Sequence, residues 1–228
     1  MASLDSIMKP RSIAVVGAST KPNTIGSDLL KRLIEYGFTG KIYPVNPKGG
    51  VIEGLTAYPS VLDIPGDVDL AIIVVKNTFV LSTIDQCHEK GITGLVVISA
   101  GFKETDEAGA ALEKELAAKV KAYGMRCVGP NCLGVVNTDP AVRMDGCFAE
   151  SLPQSGDIGF VSQSGALGGG ILNILKDLNI GFSQFISIGN QADVNAETAI
   201  EYWENVDDVR QILLYMESVS YTHLRAHE

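Results

Sequence analysis

A repeated alternation of apolar strands and amphipathic helices is the feature that most limits how this chain can fold. Residues 70–75 read Leu-Ala-Ile-Ile-Val-Val, a continuous apolar run typical of a parallel strand covered on both faces. Strands are also predicted at residues 12–16, 41–45, 95–98 and 126–128, and segments with helical spacing separate most of them. This order predicts an α/β fold with a doubly wound, parallel, Rossmann-like sheet in residues 1–140.

A second series of strands and helices follows an irregular stretch. Residues 141–157 include Gly146, Pro153 and Gly156, and we interpret them as a linker. Further strands are predicted at residues 158–161, 182–188 and 209–215. Because three strands make a small sheet, we expect residues 158–218 to form an incomplete α/β domain that exposes apolar surface. Residues 219–228 fit neither a strand nor a helix, and we interpret them as an anomalous tail that is not native.

Charge and composition exclude several kinds of partner. The 228-residue chain has a formal net charge of -9, which disfavours nucleic acid and anionic membranes. Its N-terminus lacks the basic and apolar regions of a signal peptide, and no apolar run reaches the ~20 residues of a membrane span. The four cysteines form no C-x-x-C pair and no metal-ligand spacing. We therefore expect a cytoplasmic protein without a metal site.

Two strand-to-helix turns have the composition of anion-binding sites. The sequence SQSG at residues 162–165 follows an apolar strand and opens a helix, and GAST at residues 17–20 does the same near the start of the chain. Free backbone N–H groups and the positive end of a helix dipole favour anions at such turns. The helix after Gly165 continues with Gly168, Gly169 and Gly170, which indicate either the close approach of a ligand or tight packing of helix on sheet.

The ligand of the first turn is not defined by a dinucleotide motif. The G-x-G-x-x-G pattern is missing, since Ser19 and Pro22 stand where glycines are expected. The second strand leads into Asn46-Pro47-Lys48 rather than into an acidic residue that would hold a ribose hydroxyl. Lys48 favours an additional phosphate, as in NADP or coenzyme A, although a solvated loop lysine would give the same pattern.

Six segments in order along the chain resemble the CoA-binding part of the NDP-forming acyl-CoA synthetases. This superfamily includes the α subunit of succinyl-CoA ligase, and the resemblance is greatest to the ADP-forming acetate–CoA ligase type. It extends from about Leu4 to Ser218. The segments are SIAVVGAS at 12–19, YPVNPK at 43–48, SAGF at 99–102, GPNCLG at 129–134, SQSG at 162–165 and IGNQAD at 188–193.

The resemblance implies a role for each matching position. It makes residues 158–218 part of a flavodoxin-like, succinyl-CoA-ligase-like domain, and it implies that CoA lies across the first domain. Its CoA contacts would be Gly17, Ala18, Ser19, Thr20, Lys48, Ile98, Ser99 and Ala100. Its catalytic positions would be Asn131 near the acyl group, Ser162, Ser164 and Gly165 around a phosphoryl group, and Glu217 beside a phosphorylated histidine. Asn131 as a turn cap and Gly17 as a tight turn are the alternative interpretations.

The histidine itself has no counterpart at the family position. The resemblance places it beyond Glu217, and His88, His223 and His227 do not match it. Binding of ATP or ADP with Mg²⁺ would belong to an ATP-grasp subunit or fused domain. We therefore expect the chain to bind CoA without turning over. Two alternatives are a non-catalytic CoA-sensing module and an NADP-dependent oxidoreductase.

Overall fold

The computed structural model of the protein describes residues 3–149 and 152–217. Helices and strands alternate along much of these residues. In chain order they are α1 (Asp5–Met8), β1 (Ser12–Val16), α2 (Ile25–Glu35), β2 (Lys41–Val45), β3 (Gly50–Ile52), β4 (Leu55–Ala57), a 3-10 turn (Val61–Asp63), β5 (Leu70–Ile73), α3 (Asn77–Lys90), β6 (Gly94–Val97), α4 (Glu107–Ala122), β7 (Arg126–Val128), β8 (Gly134–Asn137), β9 (Met144–Cys147), β10 (Ser155–Ser162), α5 (Gly165–Asp177), β11 (Phe182–Ser187), α6 (Ala196–Trp203) and β12 (Gln211–Tyr215).

The first sheet is fully parallel, with the strand order β2-β1-β5-β6-β7. Successive side chains of its strands point to opposite faces, and both faces are buried. Ala71 and Ile73 pack with α3 and α4, whereas Leu70 and Ile72 pack toward α2 and the second sheet. The prediction of a doubly wound parallel sheet is therefore confirmed, and its strand order reverses direction between β1 and β5.

The second sheet is mixed and has five strands in the described residues, in the order β12-β10-β11-β8-β9. The three predicted strands are parallel neighbours, β12-β10-β11. Strands β8 and β9, which the sequence analysis did not predict, extend this sheet in antiparallel orientation. Strand β9 and the first residues of β10 lie within the segment interpreted as a linker. The proposed domain limits stay a prediction, and the tail at residues 219–228 lies outside the described residues.

A shared core joins the two sheets. Ile72 of β5, Val161 of β10 and Trp203 of α6 belong to one cluster of buried apolar side chains. Trp203 is also fixed by a buried hydrogen bond, in which its Nε1 donates to Oε1 of Gln184 at 2.8 Å. Because the core is continuous, the carboxyl ends of the two sets of parallel strands are held facing each other.

Apolar side chains remain exposed at the edge of the second sheet, as predicted for a small second domain. Ile212, Leu213 and Leu214 of β12 are 45%, 37% and 41% exposed, and Ile174 and Leu178 of α5 are also exposed. Among the residues that the structure describes, no helix combines the length and the apolar character needed to cross a membrane.

Candidate functional site

A cavity of about 850 Å³ lies where the carboxyl ends of the two sheets meet. One wall consists of the loops that follow β5, β6 and β7, and the other consists of the start of α5 and the loop after β11. Predicted site residues from both domains line it, namely Ile98, Ser99, Ala100, Asn131, Ser164, Gly165 and Glu217. Tertiary structure thus brings seven of the thirteen predicted positions into one space, although they span 120 residues of sequence.

The Gly17 turn lies beside this cavity at the point where the strand order reverses. Gly17 has a φ of +99°, and a Cβ atom there would lie 2.7 Å from the carbonyl oxygen of Val74, which lines the cavity. Only glycine combines that conformation with so close a contact. Gly17, Ala18, Ser19 and Thr20 are not themselves among the lining residues. The expectation that this turn opens a helix is wrong, because α2 begins only at Ile25 and an irregular loop separates it from Thr20.

Lys48 is tied to the same turn through its neighbour. Nδ2 of Asn46 donates to the carbonyl oxygen of Ala18 at 2.8 Å, and Oδ1 of Asn46 accepts from the N–H of Lys48 at 2.9 Å. These two bonds place the exposed Lys48 turn next to residues 17–20. The role of Lys48 as a ligand contact stays a prediction.

The loop after β6 supports the cavity wall through hydrogen bonds to its neighbours. Oγ of Ser99 donates to the carbonyl oxygen of Val75 at 2.6 Å. The carbonyl oxygen of Ser99 accepts from the N–H of Asn131 at 3.0 Å. Ile98, Ser99 and Asn131 therefore form a fixed corner in which the first sheet meets the chain leading to β8.

The second predicted turn begins α5 and has one side facing the cavity. Oγ of Ser164 caps the helix by accepting from the N–H of Leu167 at 3.3 Å. The N–H groups of Gly165 and Ala166 have no acceptor within the helix, because they belong to its first turn, and both residues line the cavity. Ser162 is fully buried behind the turn, where its Oγ donates to the carbonyl oxygen of Ser164 at 2.7 Å.

Glu217 is held at the opposite side of the same turn. Its N–H donates to Oε1 of Gln163 at 3.0 Å, and the N–H of Gln163 donates to the carbonyl oxygen of Tyr215 at 2.9 Å. A carboxylate and a helix N-terminus thus lie at one end of the cavity. This pairing suits a cationic or protonated group that carries an anionic substituent.

The glycines of α5 have different structural reasons. A Cβ on Gly168 would lie 3.0 Å from Oγ of Ser162 and 3.2 Å from the ring of Phe185, so this glycine allows close packing of helix on sheet. A Cβ on Gly170 would meet nothing within 4 Å. Tight packing, one of the two interpretations of this run, therefore accounts for Gly168 but not for Gly170.

Cys132 lines the cavity but is a poor nucleophile. Burial raises the pKa of its thiol to about 12, and its Sγ lies 3.3 Å from the carbonyl oxygen of Val97. A thiol with that pKa stays protonated near neutral pH, and the thiolate is the reactive form. Cys132 is therefore an apolar filler of the wall.

A polar cluster that the sequence analysis did not identify closes one side of the cavity. It consists of Lys103, Glu104, Glu113 and Asn190. Burial opposes the charge of Glu104, but a hydrogen bond from Asn190 and bonds from three backbone N–H groups outweigh burial and lower the pKa of this carboxyl. Asn190 belongs to the segment IGNQAD that carried the resemblance, which is the only sequence signal that pointed to it.

Comparison with known proteins places this fold and cavity in a family. Residues 11–138 match the family described as CoA binding domain, and residues 155–224 match the family described as succinyl-CoA ligase like flavodoxin domain. The chain therefore belongs to the CoA binding domain family and continues into a succinyl-CoA ligase like flavodoxin domain. The resemblance found in the six sequence segments is confirmed.

Curated relatives and solved structures agree with this assignment. The chain is 46% identical over 216 residues to the α subunit of acetate–CoA ligase (ADP-forming) II of Pyrococcus furiosus, covering 95% of this chain and 46% of that subunit. It is 41% identical to the acetate–CoA ligase (ADP-forming) of Methanocaldococcus jannaschii, covering 95% and 30%. A Candidatus Korarchaeum cryptofilum acetyl-coenzyme A synthetase, solved with phosphate and ADP, matches with a TM-score of 0.92 at 40% identity, covering 96% and 47%. The chain spans about half the length of the α subunits that it matches, or less of longer relatives.

Replacing Gly17 by alanine tests the first turn. We expect it to lower the free energy of unfolding by about 2 kcal/mol, because the new Cβ adds an overlap with Val74 to the strain of a positive φ. Gly124→Ala is the matched control, since Gly124 has a φ of +66° and open space around its Cβ position. Urea unfolding followed by the fluorescence of the single tryptophan, Trp203, measures both variants. Equal losses would contradict a close contact at Gly17.

Proposed function

We propose that this chain binds CoA and supplies the CoA-binding and phosphoryl-binding loops of an ADP-forming acyl-CoA ligase. The observation that carries the proposal is the single cavity that joins Ile98, Ser99 and Asn131 of the first domain to the first turn of α5 and Glu217 of the second. A thioester and a phosphoryl group must come together in such a reaction. The cavity between the loops of the first sheet and those of the second provides room for both.

The residues of the first domain fit CoA by their chemistry. The Gly17 turn offers close backbone approach to a diphosphate, and Lys48 offers a cation for an additional phosphate. The loop from Ile98 to Ala100 and the apolar side chains of Leu133 and Phe148 suit an uncharged arm that crosses the cavity. In this arrangement the thioester end of the ligand would lie toward Asn131 and α5.

The proposed reaction runs in three balanced steps. Phosphate attacks the acyl carbon of acyl-CoA, the C–S bond breaks, and acyl phosphate and CoA are formed. A histidine nitrogen then takes the phosphoryl group from acyl phosphate and releases the carboxylic acid. ADP finally accepts the phosphoryl group from that histidine, which gives ATP. Gly165 and Ala166 would donate backbone hydrogen bonds to the phosphoryl oxygens, and Glu217 would orient the histidine ring.

We propose that the chain alone does not complete this cycle. In the residues that the structure describes, His88 is the single histidine, and it stacks on Tyr123 at a centroid distance of 3.9 Å near the end of α3 remote from the strand carboxyl ends. ATP, ADP and Mg²⁺ would bind to an ATP-grasp subunit or fused domain. Formation of ATP by the isolated chain from acetyl-CoA, phosphate and ADP would contradict this part of the proposal.

Ligand-dependent unfolding tests the binding of CoA. With CoA at about 100 times its Kd, the free energy of unfolding should rise by about 2.7 kcal/mol, which corresponds to an increase in Tm of about 8 °C. Trp203 fluorescence reports the transition, with NADP and NAD tested in parallel. Stabilisation by NADP without stabilisation by CoA would overturn the proposal in favour of an oxidoreductase.

Lys48 provides a sharper test of how CoA is held. Lys48→Ala should weaken CoA binding about fivefold, the loss of one exposed charge contact, and should leave the binding of dephospho-CoA unchanged. Lys41→Ala is the matched control, because Lys41 is an exposed lysine at the start of β2, the strand whose other end leads into the Lys48 turn. Isothermal titration with both ligands measures the difference. Equal losses for CoA and dephospho-CoA would place the additional phosphate elsewhere.

A further inference from the structure

Asn190 is a buried amide whose two ends face different chemical groups. It is 8% exposed and lies in the loop after β11, on the wall of the cavity. Its Nδ2 donates to Oε2 of Glu104 at 2.6 Å and to Oε2 of Glu113 at 2.8 Å. Its Oδ1 accepts from Nδ2 of Asn131 at 3.3 Å. One side chain therefore links a carboxylate pair to a residue of the proposed site.

The two carboxylates determine the orientation of the Asn190 amide. An ionised carboxylate only accepts hydrogen bonds, so the NH2 end of Asn190 has to face Glu104 and Glu113. The reverse orientation would place Oδ1 against two acceptors and leave the NH2 group of Asn190 opposite the NH2 group of Asn131. The amide orientation is thus set by charge, although oxygen and nitrogen are similar in shape.

Other contacts hold this arrangement in place. Nζ of Lys103 lies 3.0 Å from Oε1 of Glu113 and also donates to the carbonyl oxygen of Asn190. The N–H of Asn190 donates to the carbonyl oxygen of Pro130 at 2.9 Å, which fixes its backbone beside that of Asn131. Glu113 is only 7% exposed, so its charge acts in a region with little water.

We propose that Asn190 is a positioning residue that fixes which end of the Asn131 amide faces its neighbour and which faces the ligand. Because Oδ1 of Asn190 takes one hydrogen of Nδ2 of Asn131, the second hydrogen and the Oδ1 of Asn131 stay available to the cavity. This assignment rests on the proposed function, in which Asn131 contacts the acyl group. In this arrangement the Glu104–Glu113 pair need not touch the ligand. Through Asn190 it sets which atoms of the Asn131 amide are presented to the ligand.

A pair of substitutions that exchanges the hydrogen-bond donor and acceptor between positions 190 and 113 tests the role of Asn190. In Asn190→Asp a third carboxylate faces Glu104 and Glu113 and should be displaced from Asn131. In the double variant Asn190→Asp with Glu113→Gln, the introduced glutamine amide can donate to the introduced aspartate, which restores an acceptor toward Asn131 and conserves the total charge. Asn205→Asp is the matched control, because Asn205 is an exposed asparagine after α6.

Kinetics of the full-length protein with its ATP-grasp part give the first readout. Asn190→Asp should lower kcat about tenfold, the effect of one lost hydrogen bond, with the KM for CoA changed less than about twofold. The double variant should recover most of this loss, and Asn205→Asp should behave as wild type. An unchanged kcat in Asn190→Asp, or a loss that appears only in KM and Tm, would overturn the positioning role.

Side-chain amide resonances give a second readout that needs no activity. In ¹⁵N-labelled protein, the Asn131 amide signals should shift in Asn190→Asp and return toward their original positions in the double variant. If the wild-type protein neither binds CoA nor forms ATP, the proposed function fails while these signals still decide the link between Asn190 and Asn131. Asn131 signals that stay at the same positions in both variants would contradict that link.

Discussion

Replacing Arg32 by methionine is expected to lower the free energy of unfolding by about 2–3 kcal/mol at pH 7, because it removes one partner of a buried ion pair. Nη2 of Arg32, on α2, lies 2.9 Å from Oδ2 of Asp145, on β9. The Asp145 side chain is 1% exposed and that of Arg32 is 12% exposed. Without the guanidinium, the Asp145 carboxyl group would remain buried with its principal positive partner gone.

The loss should depend on pH because Asp145 titrates in an accessible range. Burial raises the pKa of Asp145 to about 6, against the opposing charge of Arg32, whereas an aspartate in an unfolded chain titrates near about 3.9. Protonation of Asp145 therefore favours the folded state below about pH 4, and this contribution is lost as the pH rises through 6. In Arg32→Met the carboxyl should take up a proton more readily still, so the destabilisation at pH 5 should be about half of that at pH 7.

A surface ion pair offers the comparison for this experiment. The side chain of Arg11 is 91% exposed and lies 3.7 Å from Asp69, so Arg11→Met should change stability by less than about 0.5 kcal/mol. Urea unfolding at pH 5 and pH 7 with Trp203 fluorescence measures both variants. A loss in Arg32→Met that equals that of Arg11→Met would show that the pair contributes little. A loss that is the same at both pH values would contradict the titration of Asp145 in this range.

Gly189→Ala is the second substitution with a large expected effect. Gly189 has a φ of +51°, and a Cβ there would lie 2.3 Å from the carbonyl oxygen of Pro130 and 2.5 Å from that of Asn131. Both atoms are backbone, so relief requires the loop after β11 to move away from the loop after β7. We expect a loss of about 3 kcal/mol and a decrease in Tm of about 9 °C.

The same substitution should damage the site, because these two loops form one side of the cavity. We expect CoA affinity to fall at least about tenfold in Gly189→Ala, measured by isothermal titration at a temperature where the variant is folded. Gly170→Ala is the control. Its Cβ meets nothing within 4 Å in a helix, so that variant should be up to about 1 kcal/mol more stable and should bind CoA normally. Normal affinity in Gly189→Ala would show that the loops need not touch.

Much of the first domain follows from local pattern. The strands predicted at residues 12–16, 41–45 and 126–128 are present with the same limits. Each is a short run rich in apolar residues that pairs with a parallel neighbour, and the helices between them carry one apolar stripe. Parallel strands joined by helices leave few possible arrangements, since the crossovers are right-handed and neighbouring units pack together.

The second sheet was harder to predict because two of its strands lack a strong strand signal. Strand β9 reads Met-Asp-Gly-Cys, with Asp145 and Gly146 at positions that normally disfavour a buried strand. Its place depends on contacts with α2, including the Arg32–Asp145 pair, which is 113 residues apart in sequence. Such pairs have no local signature.

The candidate site was likewise predicted from the sequence only in part. The glycines and serines of its two turns were visible in the sequence, because a strand-to-helix turn needs particular residue types at fixed offsets. The cluster around Asn190 was not, because Lys103 and Glu113 come from one domain and Asn190 from the other. Only a folded chain shows that these charges meet, and that they orient an amide.

The sequence by itself determined the α/β class, the parallel first sheet and the two turns suited to anions, since each depends on the order and spacing of neighbouring residues. Tertiary structure alone decided that the second turn lines a cavity beside the first, that five strands form the second sheet in the described part of the chain, and that Asn190 faces two carboxylates. These outcomes depend on burial and on contacts between distant segments, whose free energies arise only when the two sheets pack together.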